Sequence, residues 1–121
     1  MRILVVDDDA LAAEMTAAVL EEGGCEAVMA DSGAQALEIL GGDGDFDAVV
    51  SDLNMPGLSG LDLFHRLRAS HGDLPFILLS GDDPEDLRRQ EPGLAACVTK
   101  DADLETTLMT AIAELRLSAA G

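Results

Sequence analysis

Three aspartates in a row, Asp7, Asp8 and Asp9, directly follow the apolar run ILVV. Two unit charges about 4 Å apart repel by roughly 4 kcal/mol at an effective dielectric near 20. A fourth carboxylate, Asp52, ends a second apolar run in VVSDLNMPG; Ser80 ends a third in ILLSG, and Lys100 ends a fourth in CVTKD. A hard divalent cation would offset the repulsion among the acids. Mg2+ is commonly held by one or two carboxylates, several waters and a phosphate oxygen. Asp8 and Asp52 are the candidate direct ligands. Asp7 would orient a bound water, and the backbone carbonyl of Asn54 would add a further oxygen. Asp9 reads instead as the N-cap of a following helix. Taken alone, the triplet is an acidic helix N-terminus favoured by the helix dipole. That account says nothing of a lysine that ends a later strand.

These residues need elements to bring them together. The apolar runs at 2–6, 25–30, 47–51, 75–80 and 95–99 are short, nearly continuous and rich in Val, Ile and Leu. Such runs suit strands buried on both faces of a parallel sheet. Helical patterns lie between them. Leu11, Met15, Ala18 and Val19 follow helical spacing, and that helix is stopped at Gly23. Ser32 with Gln35, and Ser59 with Asp62, have the spacing of capping boxes. The stretch GGDGDFD reads as a loop, PEDLRRQE as a short polar fourth helix ended by Pro92, and Leu104, Leu108, Ile112 and Leu115 as the apolar stripe of a last helix. Five strands alternating with five helices predict a doubly wound α/β fold with a five-stranded parallel sheet. Ligands in such folds sit beyond the carboxyl ends of the strands. If the sheet is parallel, the candidate residues share that edge.

Composition narrows the classes of function. The chain has 121 residues, the length of one domain (1–121), and 48% hydrophobic residues with no Trp or Tyr and only three Phe, so its core must be aliphatic. The formal net charge of −17 argues against nucleic acid and anionic membranes as partners. No apolar run has the length of a membrane span or of a signal peptide, so a cytoplasmic location is expected. Cys25 and Cys97 read as two reduced, buried thiols.

The segments ILVVDDD, VVSDLNMPGLSG, ILLSG and VTK resemble the receiver domain of two-component response regulators, from Arg2 to about Leu117. The segment D-x-N-M-P-G-x-x-G is the most specific part. The resemblance implies a flavodoxin-like sheet of order 2-1-3-4-5, with Mg2+ or Mn2+ as the cofactor. It implies that Asp52 is the phosphoacceptor, attacking a phosphohistidine on a sensor histidine kinase or phosphotransfer protein. Lys100 would pair with Asp52 at rest and with a phosphoryl oxygen afterwards, and Ser80 would be the switch hydroxyl. Asn54 and Asp82 would border the path of the attacking water. Both are small and polar, so rapid autodephosphorylation is expected. Pro56, Gly57 and Gly60 would shape the loop after Asp52, Met55 would pack, and His65 and His71 would be surface residues. The domain would be no enzyme beyond its own phosphorylation and dephosphorylation, and its output partner is not specified.

Two positions and one span depart from the family pattern. Cys97 stands where the switch residue on the fifth strand is usually aromatic. Asp101 follows Lys100 in place of a proline that usually forms a cis bond. A cis bond here would cost about 3 kcal/mol, so a trans bond and an altered Lys100 approach are expected, with Asp101 competing for the ammonium. The span from Ser80 to Lys100 is shortened, which predicts a short fourth helix. These departures motivate an alternative, a degenerate receiver that docks proteins without phosphorylation. A third reading is a phosphohydrolase with an aspartyl nucleophile, since Asp7 and Asp9 stand two apart after a strand. It lacks a hydroxyl at Leu11.

Overall fold

Aliphatic runs four or five residues long cannot bury both faces as isolated hairpins, but they can in the middle of a sheet covered by helices. The computed structural model describes residues 1–42, 45–70, 72, 74–81, 89, 91–100 and 103–120, the last three by backbone alone. Its strands are β1 (Arg2–Val6), β2 (Glu26–Ala30), β3 (Ala48–Asp52), β4 (Phe76–Ser80) and β5 (Ala96–Thr99). Its helices are α1 (Ala10–Glu22), α2 (Gly33–Gly42), α3 (Gly60–Ser70) and α4 (Leu104–Ala120). All strand pairs are parallel, and the sheet order is β2-β1-β3-β4-β5. The expected α/β fold and strand order are therefore present. The described residues hold four helices rather than five. The expected fourth helix falls in 84–91, where only Arg89 and Glu91 are described.

Side-chain alternation divides the core into two layers. Leu4, Val6, Val49, Phe76 and Leu78 face α2 and α3, meeting Ala36, Leu40, Leu63, Phe64 and Leu67. Ile3, Val5, Ala48, Val50, Ile77, Leu79 and Val98 face α1 and α4, meeting Ala13, Leu20, Leu108 and Ile112. The central strands β3 and β4 are buried throughout, whereas β2 is largely half-exposed because it is an edge strand.

Local signals set most helix ends. Asp9 caps α1 by accepting from the N–H groups of Leu11 and Ala12 at 3.0 and 3.3 Å. The Ser32 hydroxyl accepts from the Gln35 N–H, while Gln35 Oε1 accepts from the Asp31 N–H. Ser59 and Asp62 form a reciprocal box at 3.1 and 3.2 Å. The last helix buries the expected stripe around Leu108 and Ile112.

Two expectations are corrected. Helix α1 turns Ala13, Thr16, Ala17 and Leu20 toward the core, and leaves Leu11, Met15 and Ala18 exposed. This helix is apolar almost all round, so spacing alone does not choose its face, and the smaller residues allow close approach to the sheet. Helix α2 also runs through Gly41 and Gly42, which were read as loop; Leu40 on its last turn is buried and holds it there.

The loop after β3 is tightly specified. Gly57 has φ 78°, in the region that favours glycine. At Gly60 an added Cβ would collide with the Asp52 carbonyl oxygen and lie 2.7 Å from Leu78 Cδ1 and 3.0 Å from Leu53 Cα. Helix α3 can start this close to the end of β3 only without a side chain there. Gly60→Ala is expected to destabilise the fold by about 1–3 kcal/mol, as overpacking against backbone does. Urea unfolding checks this, and an unchanged midpoint would show that α3 shifts freely.

Candidate functional site

The row of side chains facing α1 and α4 continues past the strand ends. Ile3 and Val5 lead to Asp7, Ala48 and Val50 lead to Asp52, and Val98 leads to Lys100. Backbone pairing carries each strand to this point. The Asp7 N–H donates to Ala30 O at 3.1 Å, Leu53 N–H to Leu79 O at 2.9 Å, and Lys100 N–H to Ser80 O at 2.8 Å. Asp7 and Asp52 are buried, at 3% and 8% exposure, while Asp8 is exposed. The aspartate triplet thus divides its work: Asp9 caps α1, Asp8 faces outward and Asp7 is enclosed. Asp7 Oδ1 accepts the Asp9 N–H at 3.0 Å, which fixes the carboxylate.

Lys100 spans the gap between β1 and β3. Its Nζ lies 3.0 Å from Asp52 Oδ1 and 3.5 Å from Asp7 Oδ2. The pairing with Asp52 is as expected; the contact with Asp7 was not foreseen. Burial pushes the Asp7 carboxyl above its ordinary value, and the Asp52 charge adds to this against the Asp9 N–H and Lys100. Burial alone would lower Lys100, but hydrogen bonding and attraction from Asp52, then Asp7, outweigh it and raise it.

Carboxylate oxygens of Asp7, Asp8 and Asp52 all lie within 4.8 Å of one another. Three carboxylates against one ammonium leave two negative charges uncompensated. A divalent cation with oxygen ligands would cancel that excess, so the donor set fits Mg2+ or Mn2+.

A model of the response regulator receiver domain matches residues 3–113. The chain belongs to this family. It is 32% identical to the sensory/regulatory protein RpfC of Xanthomonas campestris over 98% of its own length, and spans 17% of that protein. It is 40% identical to the response regulator MprA of Mycobacterium avium over 69% of its length, spanning 36% of that protein. Response regulator TrrA of Thermotoga maritima, in complex with Mg2+-BeF, superposes with a TM-score of 0.83 at 31% identity, covering 94% of this chain and 97% of that one. A receiver protein from Pseudomonas putida gives 0.82 at 32% identity, with 93% and 95% covered.

The remaining candidate residues of this receiver fall at or near the same edge. Ser80 ends β4, fully buried, one residue beyond Leu79, the register partner of Asp52. Asn54 is exposed in the loop after β3, and Met55 packs in the core as expected. Asp82, Asp101 and His71 lie outside the described residues, and with them the Lys100–Asp101 bond and the expected competition for the ammonium. Lys100 itself reaches Asp52 without a following proline. Cys97 is half-buried and packs against the layer that contains Phe64 and Leu94. His65 is exposed and pairs with Glu91 at 2.9 Å. Two residues of the site were missed. Ser51, fully buried beside Asp52, donates from Oγ to the Asp52 carbonyl at 2.9 Å. Thr16 lines a cavity with Lys100. A serine inside an apolar run was the available signal for the first; the second depends on which face α1 buries.

An acid raised in the folded state loses stability as pH climbs from its ordinary value through the raised one. Asp7→Asn is therefore expected to stabilise the metal-free protein near neutral pH. The gain should vanish as pH falls below the ordinary aspartate range. Urea midpoints across that range, in chelator, check it; a lower midpoint for the variant at neutral pH would contradict it. The sign reverses for Lys100. Its contribution is present below the ordinary lysine value and is lost as pH rises through the raised one.

Proposed function

We propose that this receiver accepts a phosphoryl group on Asp52 from a phosphohistidine of a sensor histidine kinase or phosphotransfer protein, and switches conformation in response. The observation that supports it is the convergence of Asp7, Asp8, Asp52 and Lys100, with Lys100 Nζ 3.0 Å from the acceptor. The Asp52 carboxylate forms the new bond to phosphorus while the bond to the donor nitrogen breaks. Lys100 pairs with Asp52 before transfer and then meets a phosphoryl oxygen. Asp8 and Asp52, with Asp7 through a water and the Asn54 carbonyl, would hold the divalent cation, which supplies neutralisation of the phosphoryl oxygens when bound. The Mg2+-BeF complex of TrrA supports this assignment. Ser80 hydrogen-bonds the phosphoryl group and moves inward as the switch, with Cys97 behind it in place of a ring. Asn54 and Asp82 leave the path of water open, so the phosphorylated form is short-lived. The domain catalyses only its own phosphorylation and dephosphorylation. No described helix is long and apolar enough to cross a membrane, and the reading places the domain in the cytoplasm.

Intact mass after incubation with a small phosphodonor and Mg2+ tests this. A single phosphoryl adduct is expected, lost in Asp52→Asn and in EDTA, and decaying without added phosphatase. Lys100→Met is expected to slow its formation by roughly 100-fold, the scale for removing one charge-stabilising donor. An adduct that persists in Asp52→Asn would move the acceptor elsewhere. No adduct at all would favour the phosphorylation-independent docking module.

A further inference from the structure

One row of register partners crosses the whole sheet: Ala30, Val6, Ser51, Leu78 and Cys97. It belongs to the layer that faces α2 and α3, and Ser51 carries the one hydroxyl in it. Ser51 is fully buried. An aliphatic side chain would complete this row, and a buried hydroxyl costs stability unless it is hydrogen-bonded. The Ser51 hydroxyl meets that demand on one particular atom, the carbonyl oxygen of Asp52, at 2.9 Å. The peptide that links Asp52 to Leu53 is thereby held at both ends. Ser51 holds its carbonyl, and its N–H, that of Leu53, donates to Leu79 O at 2.9 Å. The next carbonyl, of Leu53, accepts the Gly60 N–H at 2.8 Å. Helix α3 begins against the same Asp52 oxygen, where an added Cβ at residue 60 would collide.

We propose that Ser51 is a positioning residue for phosphoryl transfer: its hydroxyl fixes the Asp52–Leu53 peptide, and with it the acceptor carboxylate and the course of the chain to Asn54. The inference rests on Asp52 being the phosphoacceptor. Strand β3 ends at Asp52, so this peptide is where the chain leaves the sheet. A peptide is planar, so holding its carbonyl and its N–H fixes the whole unit. That unit sets where the Asp52 carboxylate stands relative to Lys100 Nζ, 3.0 Å from Oδ1. Side chains alternate along a strand, so the Ser51 hydroxyl lies on the face of the sheet opposite the carboxylate and acts on it through the backbone. Small displacements matter here, because a misplacement of about 1 Å can cost roughly 100-fold in rate.

The test separates the hydroxyl from the volume of the side chain. Ser51→Thr and Ser51→Val load the core alike, and the first alone keeps the donor; Ser51→Ala removes the donor without adding bulk. Three readouts compare them with the unaltered protein. In chelator, the carbonyl carbon shift of Asp52 and the amide proton shift of Leu53 report the bond itself. Titration with Mg2+, followed by amide shifts, gives the affinity of the carboxylate cluster. Intact mass with phosphoramidate and saturating Mg2+ gives the rate of adduct formation. Ser51→Val and Ser51→Ala are expected to move both shifts, and to lower the Mg2+ affinity and the adduct rate by roughly 3- to 10-fold, the scale of one neutral hydrogen bond. Ser51→Thr should bring all three readouts back toward those of the unaltered protein. Equal rates and affinities in Ser51→Thr and Ser51→Val, whether both normal or both impaired, would overturn the role of the hydroxyl while leaving Asp52 as acceptor. No adduct from the unaltered protein would overturn both readings.

Discussion

The hold of Lys100 on Asp52 and Asp7 is the interaction to which the rest of the site answers. It joins the ends of β1, β3 and β5, which lie in three different stretches of the chain. It balances one of three clustered negative charges and leaves a deficit that suits a divalent cation. The sheet exists, in this sense, to deliver four side chains to one edge. The parallel order and the common alternation put Asp7, Asp52 and Lys100 on one face without special backbone geometry. What is special is the crowding behind them. The Asp52 carbonyl accepts from Ser51, and α3 begins so close that only glycine fits at residue 60.

This arrangement sets function against stability. Burial disfavours an ionised Asp7, yet the proposed cation site calls for an enclosed carboxylate there to orient water. The aliphatic layers offset that cost. Phe76, Ile77, Leu78 and Leu79 on β4 are all buried, as are Val49 and Val50 on β3. The central strands thus anchor Asp52, while the edge strand β5 anchors the lysine through the pairing of Lys100 N–H with Ser80 O. A shift at Ser80 would therefore be felt directly at Lys100, through one backbone hydrogen bond.

Much of this was legible in the sequence because its signals are local or periodic. Asp9, Ser32 with Gln35, and Ser59 with Asp62 act within four residues of themselves, and their capping bonds stand where spacing puts them. The site residues were legible because each ends an apolar run, and a parallel sheet collects such ends. The burial of α1 was not. Its composition, ALAAEMTAAVLEE, offers two acceptable faces, and the choice belongs to the sheet it packs on. The clasp made by Arg68 was also hidden. Its guanidinium lies over Phe64 and donates to the carbonyls of Gly72, Leu74 and Gly93, partners that no short-range spacing announces.

Of the departures from the family pattern, Cys97 is among the described residues, and the charge geometry of Asp7, Asp52 and Lys100 stands beside it. Cys97 cannot supply a ring that swings inward, and its half-buried thiol packs with the layer of Phe64 and Leu94. That layer is tied in turn to the segment before β5 by Arg68 and by His65 with Glu91. Converting the Asp52 carboxylate to an acyl phosphate, as proposed, would bring about one further negative charge to the edge, and Lys100 is a cation already held between the strands there. Its contact with Asp7 is the longer of its two, at 3.5 Å, and would be the one to give way first if Asp52 gained charge. A change of partner at Lys100 would reach β4 through the bond from Lys100 N–H to Ser80 O. With no aromatic ring at position 97, the Lys100 ammonium is the most direct physical link between Asp52 and the strands around it.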